Sequence, residues 1–169
     1  MTSVLTGLNV LVIEDHDDSR EALSRYISGR GANVFAAENG RRALRIASVN
    51  PLDLVLCDLT MPVMDGYQFV REFRARECGR HIPVFAVSAL PEESASLDAV
   101  RAGFDGYVSK PIDLRALEAR IAVVRAEVAR AAERATAALD RAEVALNRSV
   151  AAHEEVIARM LRTKKRIEK

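Results

Sequence analysis

The chain has 169 residues, 49% of them hydrophobic, and a formal net charge of +1. That length suits one compact domain with residues left over for something extended, and the near-neutral balance argues against a dedicated nucleic-acid binder, which would carry a strong basic excess. The charge is uneven: residues 1–112 hold 12 Lys+Arg against 15 Asp+Glu, and residues 113–169 hold 13 against 9. Acid-rich, metal-binding chemistry therefore belongs to the first part. Cys57 and Cys78 form neither a metal-ligand spacing nor a disulfide framework. Thr6, Gly7 and Asn9 interrupt the only apolar stretch near the N-terminus, so no signal peptide or membrane span is expected, and the protein reads as cytoplasmic.

Val10 to Ile13 is a short apolar, β-branched run that stops at acids, as a parallel strand buried on both faces does. Asp18 with Glu21 makes a capping-box pattern, and Ala22, Leu23, Tyr26 and Ile27 give the stripe of the helix that follows. Gly29 and Gly31 end it. Asn33 to Ala37 reads as a second strand, and Asn39 caps a helix carrying Ala43, Leu44 and Ala47. Pro51 breaks the pattern before a third strand, Leu54 to Cys57, ending at Asp58. Gly66 opens a helix with Phe69, Val70 and Phe73, and Pro83 to Val87 is a fourth strand ending at Ser88. Pro91 begins a helix running to about Ala102. Gly106 to Ser109 is a fifth strand, followed by Lys110 and Pro111. Five alternations of strand and helix predict an α/β fold with a parallel sheet covered on both faces.

In such sheets the reactive groups gather beyond the carboxyl ends of the strands. Glu14 and Asp15 follow strand one, Asp58 strand three, Ser88 strand four and Lys110 strand five. Crowded carboxylates repel one another unless a cation sits among them, and hard oxygen ligands at a compact site favour Mg²⁺. Asp58 can then act as a carboxylate nucleophile toward phosphorus. Phosphoryl transfer needs positioning and neutralisation of charge, which the metal and the Lys110 ammonium supply, while Ser88 offers a hydroxyl donor.

Four segments carry a family resemblance. Val10-Leu-Val-Ile-Glu-Asp15, Asp58-Leu-Thr-Met-Pro-Val-Met-Asp-Gly66, Ser88-Ala89 and Tyr107-Val-Ser-Lys-Pro111 resemble the receiver domain of response regulators in two-component signalling. The order and spacing agree over residues 8 to about 120, with 30 positions from Asp58 to Ser88 and 22 more to Lys110. The resemblance implies a doubly wound, flavodoxin-like five-stranded sheet of order 2-1-3-4-5. It implies that Asp58 is the phosphoacceptor, that Asp15 ligates Mg²⁺ directly with Glu14 acting through water, and that the Thr60 carbonyl completes the metal's protein ligands. Lys110 would pair with the phosphoryl group, with a cis bond to Pro111, and Ser88 and Tyr107 would form a switch pair. The implied phosphodonor is a histidine kinase or phosphotransfer protein. Two departures are mild: Glu14 stands where Asp is commoner, and Ser88 where Thr is frequent. A haloacid-dehalogenase-type phosphatase is disfavoured by Thr60, since that family needs an acid there. No turnover of an outside substrate is expected.

From Asp113 to Lys169 there is neither Gly nor Pro, and Ala, Arg, Glu and Leu dominate, all strong helix formers. Asp113 caps the start and Lys164, Lys165, Arg166 and Lys169 crowd the end, as the helix dipole favours. A continuous helix over residues 113–168 would be about 84 Å long at ~1.5 Å per residue. Leu117, Ile121, Val124 and Val128 follow heptad spacing. Val128, Leu139, Val150 and Leu161 then recur every 11 residues, as do Ala135, Leu146 and Ile157, which keeps a stripe nearly straight. The expected organisation is a receiver body over 1–112, a fifth helix packing on it over 113–125, and a coiled-coil-like extension over 126–169. The stripe suggests a homodimer through the C-terminal helix, with a hairpin turning near Arg141 to Ser149 as the alternative. One uninterrupted helical pattern leaves no room for a DNA-reading module. His153 lacks the flanking residues of a phosphotransfer histidine. The expected function is a response regulator signalling by protein contact through its tail, the alternative being a phosphate shuttle or sink in a multistep phosphorelay.

Overall fold

The computed structural model describes residues 3–89 and 92–167, with backbone alone at 92–95, 128, 132 and 155–167. Its elements alternate as expected: β1 Asn9–Ile13, α1 Asp17–Gly29, β2 Asn33–Ala37, α2 Gly40–Ala47, β3 Leu54–Asp58, α3 Gly66–Ala75, β4 Val84–Ser88, α4 Glu92–Ala102, β5 Gly106–Ser109 and α5 Leu114–Ile167, with one 3-10 turn at Glu77–Gly79. The five strands pair in parallel in the order β2-β1-β3-β4-β5. Pro91, expected to begin α4, lies outside the described residues.

Strand periodicity divides the core in two, because successive side chains point to opposite faces. Leu11, Ile13, Val55, Cys57, Val84 and Ala86 turn toward Ala43, Leu44, Phe69, Val70, Phe73 and Ala99, contributed by α2, α3 and α4. Val10, Val12, Leu54, Leu56, Phe85 and Val87 turn the other way, toward Leu23 and Ile27 of α1 and Leu117 and Ile121 of α5. All five residues of β3 and of β4 are buried, which is why these segments read as continuous apolar runs rather than alternating ones. Edge strand β2 is fully buried only at Ala37.

Local chemistry sets the helix starts. Asn39 accepts from the Arg42 N–H at 2.9 Å and Asp65 from the Gln68 N–H at 2.7 Å, each satisfying an otherwise orphaned donor. Asp113 accepts from the N–H groups of Arg115 and Ala116 at 2.9 and 3.1 Å. The capping box expected at Asp18 and Glu21 does not form. Helix α1 begins two residues earlier, at Asp17, after His16, which makes no side-chain cap. Arg20 holds this start instead, donating to the carbonyls of Glu14 and Asp15 at 2.7 and 3.3 Å and pairing with Asp17. Glu21 pairs with Arg25 at 2.6 Å. After α1, Gly31 takes φ +87°, a conformation that costs other L-residues.

The chain divides into two compact units, residues 1–126 and 127–169. Within the first, the opening turns of α5 are tied down by more than Leu117 and Ile121. The Tyr26 hydroxyl donates to Glu118 at 2.6 Å, Arg30 lies 3.3 Å from the same carboxylate, Arg120 donates to the Tyr107 carbonyl, and Arg125 donates to the Val4 carbonyl at 2.8 Å. The second unit is helical through Arg141–Ser149, so the hairpin alternative is not adopted there. Leu139, Val144, Leu146 and Val150 are all exposed on it. The side chains of Val128, Ile157 and Leu161 lie outside the described residues.

Candidate functional site

Three strand ends deliver the acid-rich pocket. Asp58 is the last residue of β3, the central strand, and is only 7% exposed. Glu14 follows β1 and is 4% exposed, its N–H donating to the Ala37 carbonyl at 3.0 Å. Lys110 follows β5, and its backbone N–H donates to the Ser88 carbonyl at 2.8 Å, which fixes where its side chain starts. Its peptide bond to Pro111 is cis. The Lys110 Nζ then reaches between the two acids, 2.5 Å from Asp58 Oδ2 and 2.6 Å from Glu14 Oε2. Asp58 and Glu14 are 52 and 96 positions from Lys110 in sequence.

Burial by itself would lower the Lys110 pKa, but the hydrogen bonds it donates to Asp58 and Glu14 and the charge of both outweigh it, and the ammonium is held above its ordinary value. Buried charge is tolerable here because it is paired and hydrogen-bonded. The other Asp58 oxygen, Oδ1, accepts from the Thr60 N–H at 2.9 Å, which orients the carboxylate. Next to it, Cys57 is fully buried. Desolvation, then the charges of Asp58, Asp65 and Glu14, push its thiol well above the usual range, and its Sγ lies 3.1 Å from the Asp58 carbonyl oxygen. Cys78 is exposed.

Of the other anticipated residues, Asp15 sits beside Glu14. Ligand atoms of Glu14, Asp15 and His16 all lie within 4.8 Å of one another. The Asp15 carboxylate is 3.7 Å from His16 Nδ1. Carboxylates this close could serve one Mg²⁺, directly or through water. A donor set of carboxylate oxygens suits Mg²⁺, and the exposed imidazole of His16 adds nothing that a hard cation prefers. Ser88 is 1% exposed at the end of β4, and Tyr107 is 4% exposed in β5. Thr60 is exposed in the loop after β3.

Two residues hold this arrangement: Arg20, which sequence reasoning passed over, and Gly66, which it placed only as the start of a helix. Arg20 clamps the carbonyls of the acid pair, and Gly66 lets α3 approach the end of β3: a Cβ there would lie 2.3 Å from the Asp58 carbonyl oxygen. The loop between them contains Val63 at φ 71°, a β-branched residue in the left-handed region.

A sheet of this order with an acid, an acid and a lysine at these strand ends is a family pattern, and the sequence profile of the response regulator receiver domain matches residues 10–122. The chain belongs to that family. The receiver is 39% identical over 115 residues to the KDP operon transcriptional regulatory protein KdpE of Escherichia coli, which covers 68% of this chain and 50% of KdpE. It is 35% identical over 114 residues to the sensor histidine kinase RcsC of Salmonella typhi, covering 68% of this chain and 12% of RcsC. The chain thus spans half or less of these relatives, which include regulators and kinases. Among solved structures, a response regulator from Chloroflexus aurantiacus superposes with a TM-score of 0.67 at 27% identity, covering 72% of this chain and 99% of that one. The receiver domain of sensor histidine kinase PA1611 from Pseudomonas aeruginosa, which holds magnesium in its active-site cleft, superposes with a TM-score of 0.64 at 29% identity, covering 69% and 95%. No helix among the described residues is long and apolar enough to cross a membrane.

Proposed function

We propose that this receiver takes a phosphoryl group on Asp58 from a histidine kinase or phosphotransfer protein, and passes the signal on by protein contact through its C-terminal helix. The observation that carries the reading is the Lys110 ammonium bridging Asp58 and Glu14 at 2.5 and 2.6 Å. A lysine so placed neutralises charge at the spot where a phosphoryl group bonded to Asp58 would sit. In the transfer, an Asp58 carboxylate oxygen forms the new bond to phosphorus while the bond from phosphorus to the donor's imidazole nitrogen breaks. That nitrogen keeps the electron pair and takes up a proton. Lys110 releases Glu14 to follow the phosphoryl oxygens, and the Ser88 hydroxyl donates to one of them. Tyr107, on the strand that leads to Lys110, completes the switch pair.

Asp15 and Asp58, with the Thr60 carbonyl and Glu14 through water, would hold Mg²⁺. When bound, the ion supplies further neutralisation of the phosphoryl oxygens. The receiver's chemistry on this reading is limited to its own phosphorylation and dephosphorylation. Residues 1–112 form the body, 113–125 the helix that packs on it and 126–169 the output extension, which associates with a second copy. The unbroken helix Leu114–Ile167 supports output by contact rather than through a DNA-reading module within this chain.

The test is modification with beryllofluoride or a small-molecule phosphodonor in the presence of Mg²⁺, read by mass spectrometry. The adduct is expected on Asp58 alone and is lost in Asp58→Asn. Acid-labile phosphate persisting on Asp58→Asn would overturn the assignment.

A further inference from the structure

We propose that two copies of the tail pair antiparallel, centred on Leu146; this rests on the reading that the tail self-associates and adds its orientation. At ~100° per residue, Ala135, Leu139, Ala142, Leu146, Val150 and His153 fall within an arc of about 80° on one helix face. Leu139 is 71% exposed, Leu146 64% and Val150 49%. The spacing along this face runs 4, 3, 4, 4, 3, which reads the same in both directions about Leu146 over 139–153. A partner helix can therefore meet it in either sense, and packing and charge must choose.

Packing chooses first. A parallel pair sets each residue against itself: Leu139 on Leu139 and Leu146 on Leu146, but Ala135 on Ala135 and Ala142 on Ala142. Leucine layers would hold the helices apart and leave gaps at the alanine layers, which straight helices cannot close. An antiparallel pair centred on Leu146 sets Ala142 opposite Val150 and Leu139 opposite His153. By sequence position it continues with Ala135 opposite Ile157. Large then faces small and the layers fill evenly. The parallel pair would also stack His153 on His153 in the seam, whereas the antiparallel pair lays each imidazole against a leucine.

Charge chooses the same way. The sequence ends in Arg159, Arg162, Lys164, Lys165, Arg166 and Lys169. A parallel pair brings two such ends together. In an antiparallel pair they stand on the order of 50 Å apart at ~1.5 Å per residue, far beyond a screening length of ~8–10 Å. Antiparallel helix dipoles also oppose each other favourably. The arrangement has one cost, since Asp140 comes toward Glu154 of the second copy, but both are exposed and screened by solvent.

Cysteine cross-linking of the full chain in a Cys78→Ser background decides the matter, with fully buried Cys57 left in place. In the antiparallel pair, equivalent positions 139 lie about 21 Å apart at ~1.5 Å per residue, and a disulfide needs Cα atoms within ~7 Å. Leu146→Cys should form a disulfide dimer under mild oxidation. Leu139→Cys and His153→Cys should each stay unlinked alone and link when mixed. A homodimer through position 139 or 153, or a failure of the mixture to link while Leu146→Cys does, would overturn the antiparallel register. An unmodified chain that sediments as a monomer, with no link at 146, would overturn self-association itself.

Discussion

Replacing Gly66 with alanine should separate the demands of the fold from those of helix propensity. By propensity alone the change favours a helix, by roughly 0.5–1 kcal/mol. The structure reverses the sign. The added Cβ would lie 2.3 Å from the Asp58 carbonyl oxygen and 2.9 Å from the Leu59 Cα. Both are backbone atoms, so no rotamer change relieves the overlap; α3 must slide away from the end of β3. Gly66 also donates its N–H to the Leu59 carbonyl at 3.1 Å, and that bond would be stretched by the same movement. Overpacking of this kind costs about 1–3 kcal/mol, and with the strained hydrogen bond we expect about 3 kcal/mol in total, a fall in Tm on the order of 10 °C. Gly29 is the control, because a Cβ there meets nothing within 4 Å; Gly29→Ala should stabilise by about 0.5 kcal/mol. Urea denaturation followed by circular dichroism measures both. Beryllofluoride binding should also weaken in Gly66→Ala, since the displaced loop carries Thr60. A Gly66→Ala protein within 0.5 kcal/mol of wild type would refute the reasoning.

Val63→Asn should raise stability by about 1 kcal/mol, visible as a higher Tm, because asparagine tolerates the positive φ that costs valine and the exposed valine side chain loses no burial. Asp15→Asn should weaken Mg²⁺ binding at least tenfold by calorimetry, on the reading that it is a direct ligand. Lys110 has a raised folded-state pKa, so its stabilisation is fully present below the unfolded value of ~10.4 and lost as pH rises through the folded value. The stability gap between wild type and Lys110→Gln in urea titrations should therefore stay flat from neutral pH to about 10 and shrink above that. Leu139→Glu combined with Leu146→Glu should yield a monomer by sedimentation equilibrium while beryllofluoride still modifies Asp58.

The sheet was legible in the sequence wherever one local rule governed it. Val10–Ile13 and Leu54–Cys57 are apolar runs because neither face of their strands meets water, and each stops at an acid where the strand leaves the core. Asn39 and Asp113 were legible as caps because an N-cap needs only its own side chain and the next turn. The start of α1 was not, because the chain between β1 and α1 is held by Arg20, whose choice of the Glu14 and Asp15 carbonyls depends on three-dimensional placement. Arg74 was opaque for the same reason. It gathers the carbonyls of Gly103, Gly79 and Ile82 and the Asp105 carboxylate, partners divided between the α3–β4 and α4–β5 connections. At the candidate site, the rule that reactive groups follow the strands brought Glu14, Asp58 and Lys110 to the carboxyl edge of one sheet. That the lysine spans both acids at once is a property of the folded pocket.

The buried thiol beside Asp58 makes the protein its own reporter. A thiol reagent meets Cys78 freely, but it reaches the fully buried Cys57 only when the sheet opens around β3. The slow phase of alkylation therefore times the breathing of the strand that ends in Asp58. If occupancy of the acid pocket tightens that strand, the reaction at Cys57 will slow while the reaction at Cys78 keeps its pace, and one tube will hold both the clock and its reference.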